Sequence, residues 1–374
     1  MKQLKIFSFY SGSGFLDLGF ETNGFKIEFV NEFSPAFIRA YMFSRKEMGL
    51  RKPKYGYQNT DINEYLGGRK KELMGYIEDA RSDGSLIGFI GGPPCPDFSI
   101  AGKQRGRNGD NGKLSQSYID VIRAFGPDFF LFENVKGLWR TAKHRAFYEE
   151  LKEQLHADGY VTTERLTNAL EFGVPQDRDR ILLFGVRNNI ISAAHCNGAE
   201  ISDFPWDMHI SRSIEHVKSL PWPQKTPFSE NSSVPCPAGI DEELTVEHWF
   251  RKNGVEKHVN AKDFFVPRAG LEKMKVIEEG DDRKKSYKRL HRWRYSPTAA
   301  YGNNEVHLHP YKARRISAAE AMAIQSLPME FVLPADMSLS DKFKTIGNGV
   351  PYLLSSGIAR TISEYMREAT TCKE

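Results

Sequence analysis

The chain has 374 residues, a length that suits about two domains, and its 27% charged and 40% hydrophobic residues make a globular composition. No apolar run approaches the ~18 residues of a membrane span, and the N-terminus, with two lysines in Met1–Phe9, has no apolar stretch of signal-peptide length and no small-residue cleavage site, so a cytoplasmic rather than a secreted or membrane protein is expected. The four cysteines (Cys95, Cys196, Cys236, Cys372) form no CxxC pair, which argues against a disulfide scaffold or a zinc module, and no metal site is expected; the net charge of +4 says little about partners.

In chain order, Leu4–Phe9 reads as a short apolar strand, followed by a glycine turn and the apolar segment Phe15–Phe20. Lys26–Val30 reads as a second strand, ending at Asn31-Glu32, and Leu86–Ile90 as another, ending at Gly91-Gly92-Pro93-Pro94. Phe129–Phe132 and Arg180–Val186 complete the set, and Ala146–Leu155 between them has helical spacing with charge on one side. Short apolar runs without alternation suit strands buried on both faces, so a doubly wound α/β domain with a mostly parallel sheet is predicted. Beyond residue 188 prolines gather and periodicity fades, as in a small irregular domain. Regular structure returns at Ser317-Ala-Ala-Glu320, a capping-box pattern opening a helix over Ala318–Leu327 that Pro328 stops. A last amphipathic helix is expected after Gly349-Val350-Pro351.

Five segments stand out as candidates for chemistry or binding. Ser11-Gly12-Ser13-Gly14 follows the first strand, where glycines expose backbone amides to a ligand, and Glu32 stands at the end of the next strand, within reach of ribose hydroxyls. The third glycine of a dinucleotide fingerprint is replaced by Asp17, so an ordinary tight turn stays open beside a nucleoside site. Cys95, on a Gly/Pro-bounded turn at a strand's C-terminal end, is presented to a cleft, whereas most cysteines of this kind are buried and inert. Glu133-Asn134-Val135 puts a carboxylate at another strand end, beside the Cys95 loop if the strands are neighbours, in a position suited to giving a proton. Gln176-Asp177-Arg178-Asp179-Arg180 sets two arginines at strand spacing on one face, as either a site feature or a surface Asp–Arg ladder. Finally, Arg283–Arg294 holds seven Lys or Arg among twelve residues, read as a solvated helix face or as a strip facing phosphates.

Taken in order, Ser11-Gly12-x-Gly14, Pro94-Cys95, Glu133-Asn134-Val135, Gln176-x-Arg178-x-Arg180, Arg315–Pro328 and Gly347-Asn348-Gly349-Val350-Pro351 resemble the motifs of the DNA (cytosine-5)-methyltransferases, over residues 8 to 353. The resemblance implies a Rossmann-like S-adenosylmethionine-dependent methyltransferase domain over residues 1–188, completed by 330–374. It places a smaller, irregular target recognition domain at 189–329. Cys95 would add to carbon 6 of a flipped cytosine, Glu133 would act at ring nitrogen 3, and Arg180 would meet the base's carbonyl oxygen with Arg178 as its support. S-adenosyl-L-methionine would be held by Tyr10 against adenine, Glu32 at the ribose, Asp61 and Ile62 at the adenine edge, and Gly12 and Gly14 at the methionine end. Pro94, Asn348 and Val350 would complete that pocket. Ser99, Lys103, Arg105 and Arg107 in the glycine-rich loop after Cys95, with Lys284, Lys285 and Arg289, would contact double-stranded DNA. A monomer is expected, with any cognate restriction endonuclease acting separately. The departures are Ser8 for aspartate, Phe15 for the second of paired glycines, and Pro96 for glutamine. Alternative readings are a tRNA substrate, a non-catalytic binder of the same fold, and a nicotinamide oxidoreductase resting on the Gly-x-Gly turn alone.

Overall fold

The computed structural model describes residues 2–94, 110–267, 270–284, 286–299, 301 and 306–371. The apolar runs become strands: β1 Leu4–Phe9, β2 Lys26–Asn31, β3 Tyr57–Gln58, β4 Leu86–Gly91, β5 Phe129–Val135, β6 Tyr160–Asn168, β7 Asp179–Arg187, β8 Cys196–Asn197 and β9 Glu200–Ile201. They form one nine-stranded sheet in the order β3-β2-β1-β4-β5-β7-β6-β9-β8. All six residues of β1 and of β4 are buried, as strands covered on both faces must be. Even Lys5 of β1 is drawn in, donating to the Ala80 carbonyl at 2.8 Å and to Asp83 at 2.7 Å.

The helices are α1 Phe15–Glu21, α2 Pro35–Glu47, α3 Lys70–Arg81, α4 Asp110–Phe125, α5 Gly137–Arg140, α6 Ala142–Ala157, α7 Ile214–Ser219, α8 Val246–Lys252, α9 Leu271–Lys275, α10 Ala318–Ile324, α11 Leu339–Asn348 and α12 Tyr352–Thr371. Apolar residues of α1 and α12 (Leu16, Phe20, Leu354, Ile358) pack in one core with Ile6, Ile90 and Leu131 of the sheet. Those of α3, α4 and α6 (Leu73, Ile77, Tyr118, Ile122, Leu151) pack in a second core with Phe7, Phe89 and Phe130. A Cβ at Gly19 would lie 2.6 Å from the Ser355 backbone, so glycine is what lets α1 and α12 approach so closely.

Strand order reverses at β1, which pairs with β2 on one side and β4 on the other, both parallel. The C-terminal ends of β1 and β4 therefore flank a topological switch point, where open α/β sheets bind ligands. β4 and β5 are parallel neighbours, with Gly91 opposite Phe132, which brings the segment leading to Cys95 alongside Glu133. β7 runs antiparallel to both β5 and β6. This reversal matters for the site, because it puts Arg180, at the start of β7, beside the C-terminal end of β5; a parallel strand would have carried it to the far end.

The sheet continues past residue 188 through β8 and β9. The described residues from there to α10 form short helices and isolated bridges among irregular segments. A third core joins Trp249 and Phe250 of α8, Ala321 and Met322 of α10 and Phe343 of α11 to Phe15, Leu18 and Phe37 of the first layers. The Ser317/Glu320 capping box is present, and α10 ends before Ser326, which takes φ 54°.

The described residues of the basic segment 283–294 form no helix, and Arg289 does not face solvent. Its buried guanidinium lies 3.9 Å from the Phe228 ring centre. It donates to the carbonyls of Ile277 (2.8 Å), Met274 (2.5 Å), Lys312 (3.2 Å) and His309. Irregular backbone leaves carbonyls that no ladder satisfies, and five N–H donors on one side chain can serve several of them. The expectation that Arg289 contacts DNA is therefore corrected. Arg292, also buried, pairs with Glu279 at 2.8 Å, while Lys284 is exposed.

Candidate active site

The first half of the site is the turn after β1. Tyr10, Gly12 and Gly14 take φ of 51°, 57° and 80°, a left-handed sequence that glycine makes cheap. Gly12 N–H donates to Glu32 Oε2 at 2.8 Å and Ser34 N–H to Glu32 Oε1 at 2.7 Å, so the carboxylate is fixed against the turn while keeping acceptor capacity. Burial raises the Glu32 pKa, opposed by those backbone N–H groups. Burial also pushes the Tyr10 hydroxyl well above its ordinary range, with the Asp61 and Glu32 carboxylates adding to the shift. That hydroxyl donates to the Leu114 carbonyl of α4 at 3.1 Å. Asp61 Oδ1 accepts from the Asn63 N–H at 2.8 Å and so caps the short turn that buries Ile62.

Three features fit this turn to a nucleoside cofactor. A Cβ at Gly12 would meet nothing among the described residues nearer than Thr345 Oγ1 at 4.0 Å, so the backbone there is open. The Ser11 hydroxyl is buried without a hydrogen-bond partner among the described residues. Phe33, next to Glu32, is 69% exposed, an aromatic face left without cover. Phe33 is absent from the sequence-based expectations, although its position directly after Glu32 was the available signal.

The C-terminal segment closes on the same turn. Ser13 Oγ and Thr345 Oγ1 of α11 are 2.7 Å apart. Asn348 is exposed at the end of α11, and Val350 is buried in the first core. A Cβ at Gly349 would fall 2.1 Å from the Phe15 ring, so the phenylalanine that replaces a glycine occupies space left by Gly349. Phe15 also meets Phe331 edge-on, with ring centres 5.0 Å apart.

The second half lies at the ends of β4, β5 and β7. Glu133 is opposite Leu182, and Arg180, two residues earlier on β7, is its same-face diagonal neighbour. Glu133 and Arg180 are each 7% exposed and form an ion pair, Nε to Oε1 at 2.6 Å. Arg180 Nη1 also donates to the Asp179 carbonyl at 2.7 Å. A Cβ at Gly92 would lie 2.6 Å from Glu133 Oε2, so the chain heading to Cys95 passes directly against the carboxylate.

Arg178 does not join this pair. It is buried and donates to the carbonyls of Gly347 at 2.8 Å, Gly349 at 3.1 Å and Ala299 at 3.4 Å. Burial, together with the Arg180 cation, lowers its pKa, and burial lowers that of Arg180 against the pull of Glu133. Arg178 thus clasps the Gly347–Gly349 segment to the start of β7, beside the Glu133–Arg180 pair. Gln176 and Gln325 extend the clasp: Gln176 Nε2 donates to Gln325 Oε1 at 3.2 Å, and Gln325 Nε2 to the Ile346 carbonyl at 2.5 Å. Gln325 lies within the Arg315–Pro328 motif but was not singled out, and Thr345 had no local signal in the sequence. Pro94 is exposed at the end of the described segment, and Cys95, Ser99, Lys103, Arg105, Arg107 and Lys285 lie outside the described residues.

Comparison with known proteins bears on this geometry. The model of the C-5 cytosine-specific DNA methylase family matches residues 4–364. The chain is 58% identical over 366 residues to type II methyltransferase M.NmeDI of Neisseria meningitidis serogroup C, covering 98% of this chain and 84% of that protein. It is 30% identical to M.FnuDI of Fusobacterium nucleatum, covering 99% and 97%. Among solved structures, the Dnmt2 methyltransferase of S. pombe superposes with TM-score 0.59 at 14% identity, over 98% of this chain and 99% of that one. A prophage-encoded methyltransferase of E. coli gives TM-score 0.66 at 19% identity, over 98% and 100%. The structural likenesses speak to the fold, and the family match and close relatives to descent. The chain belongs to the C-5 cytosine-specific DNA methylases.

Proposed function

We propose that the protein methylates carbon 5 of a cytosine within a specific double-stranded DNA sequence, as the modification half of a type II restriction–modification system. The observation that carries this reading is the buried Glu133–Arg180 pair pressed against Gly92, three residues before Cys95, on the sheet edge that also bears the Glu32-bound glycine turn. Two sites share one switch point.

In this reading Tyr10, Phe33, Asp61 and Ile62 embrace the adenine of S-adenosylmethionine, and Glu32 accepts from its ribose hydroxyls. The Gly12–Gly14 turn, Pro94, Asn348 and Val350 bound the methionine end. The cofactor supplies an electrophilic methyl group. Cytosine carbon 5 is a poor nucleophile until the ring is activated, and that task falls to the protein's own side chains. The Cys95 thiolate adds to carbon 6, ring nitrogen 3 takes up a proton through Glu133 as electron density moves onto it, and Arg180 meets the carbonyl oxygen. Carbon 5, now the nucleophilic end of an enamine, bonds to the methyl group; loss of its proton to solvent base then breaks the carbon–sulfur bond, expels the Cys95 thiolate, and the nitrogen-3 proton returns through Glu133. The ring cannot be reached inside a duplex, so the base must swing out. Held by Arg180, Glu133 needs no reorganisation when the base arrives. Arg178 acts at one remove by fixing Gly347–Gly349. Residues 189–329 read the target sequence, with the loop after Cys95 and Lys284 among the phosphate contacts.

The test is transfer of label from S-adenosylmethionine to duplex DNA or to tRNA, with bisulfite sequencing of DNA from expressing cells to give the site. Label in duplex DNA, lost in Cys95→Ser, supports the proposal. Label confined to tRNA, or undiminished in Cys95→Ser, refutes it.

A further inference from the structure

One cluster of charge next to the glycine turn takes part in none of these steps. Asp17 of α1 is fully buried, accepting from Ser8 Oγ at Oδ1 and from the Tyr41 hydroxyl at Oδ2, each at 2.9 Å. Arg45 of α2 is 1% exposed; its Nε donates to Glu21 Oε2 at 2.6 Å and its Nη2 to the Gly14 carbonyl at 2.6 Å. The same guanidinium lies 4.4 Å from the centre of the Tyr41 ring. A Cβ at Gly14 would fall 2.4 Å from Tyr41 Cε2 and 2.8 Å from Arg45 Nη2, so the turn rests directly on these two side chains.

Buried ion pairs are weak stabilisers, and apolar replacements of similar volume often do as well or better. Three ionisable groups held in this interior therefore call for a role beyond stability. The geometry supplies one. Tyr41 and Arg45 lie on α2, which begins at Pro35 only three residues after Glu32, while their partners Asp17, Glu21 and Gly14 belong to the turn and to α1. The cluster thus ties together the two segments that Gly12 N–H and Glu32 join on the pocket side.

We infer that Asp17, Tyr41 and Arg45 are positioning residues that set the spacing between the Gly12–Gly14 turn and Glu32, and thereby the affinity for the adenosyl cofactor, without touching it. The inference rests on the reading that this turn and Glu32 hold the cofactor. Asp17 stands where a third glycine of a dinucleotide fingerprint would be, so a position that is usually a close backbone contact here carries an anchoring charge.

The experiment is calorimetric titration of the full-length protein with S-adenosylhomocysteine, alongside steady-state kinetics and thermal melts. Tyr41→Phe keeps the ring and loses one hydrogen bond to a carboxylate; Arg45→Lys keeps the charge and loses the fork that reaches both Glu21 and Gly14. Each is expected to raise Kd for S-adenosylhomocysteine, and KM for S-adenosylmethionine, by about tenfold, the weight of one charge-assisted hydrogen bond. The kcat at saturating cofactor and the KM for DNA should stay within about twofold of wild type. Asp17→Ser should weaken binding similarly, and Ser8→Asp with Asp17→Ser, which returns the carboxylate from β1, should restore it. Melting temperatures that fall while Kd holds would overturn the proposal and leave the cluster a fold element only. Glu32→Gln, measured in parallel, separates the two readings. If it loses affinity while Tyr41→Phe and Arg45→Lys do not, the positioning role alone fails. If Glu32→Gln binds as wild type, the pocket assignment fails and takes the positioning role with it.

Discussion

Gly92→Ala tests whether the approach to Cys95 and the Glu133 carboxylate share one site. The added methyl carbon would sit 2.6 Å from Glu133 Oε2, so the carboxylate must retreat by roughly 0.8 Å to regain an ordinary contact of 3.4 Å. It cannot do so freely, because Oε1 is 2.6 Å from Arg180 Nε and both side chains are buried. Overpacking of this kind costs about 1–3 kcal/mol, and a displacement near 1 Å at reacting groups costs about a hundredfold in rate. The φ of Gly92 is not left-handed, so alanine brings no backbone strain of its own. Steady-state methylation of duplex DNA should therefore show kcat reduced about 10- to 100-fold. Gly75→Ala is the control: it is an α3 position where a Cβ meets nothing within 4 Å among the described residues. It should leave kcat unchanged and stabilise the helix by up to about 1 kcal/mol. A Gly92→Ala enzyme with wild-type kcat would refute the shared site.

Other outcomes follow from the same contacts. Arg289→Ala strips donors from several buried carbonyls and should cost about 3 kcal/mol or more of unfolding free energy while leaving the salt dependence of DNA binding untouched. Lys284→Ala should do the reverse, lowering the slope of log K against log salt by about one with no loss of stability; equal effects of the two on the slope contradict the burial argument. Burial pushes the His307 imidazole down to about 3, helped by the Lys288 and Arg315 cations. Below its ordinary pKa of 6.5 the unfolded chain takes up a proton that the folded chain refuses. Its contribution to stability is thus whole above that pH and shrinks as pH falls, by up to about 1.4 kcal/mol per unit. His307→Phe should flatten that part of the pH–stability curve in denaturant titrations, and parallel curves for the two proteins would count against it.

The sequence was most readable where one physical cause dominates. Leu4–Phe9 and Leu86–Ile90 are apolar on both faces because both faces are covered, and they became strands within a residue of the expected ends. Tyr160–Asn168 (YVTTERLTN) escaped notice because its middle is only half-buried and therefore polar. The reversal of β7 was invisible because residue periodicity carries no strand direction, yet that reversal brings Arg180 to Glu133. Helix α10 ended at Ile324 rather than Leu327, since Ser326 adopts a left-handed φ that no composition announces. The basic strip was misjudged at Arg289 because charge counts do not tell which cations an irregular domain turns inward to satisfy its own carbonyls. The positions of Glu32 and Glu133, at strand ends beside the switch point, were legible because the apolar runs that precede them end there. Asp17 was not, because an acid in a short helix announces no partner until Tyr41 and Arg45 of α2 are found around it.

The most direct measurement is covalent capture on duplex DNA carrying 5-fluorocytosine at the methylated position, in the presence of S-adenosylmethionine, followed by peptide mapping. Fluorine cannot leave as the carbon-5 proton does, so the adduct should persist through denaturation. A stable complex is expected, with the base bonded to the peptide containing Cys95. No trapped complex, or one mapped to Cys196, Cys236 or Cys372, would contradict it.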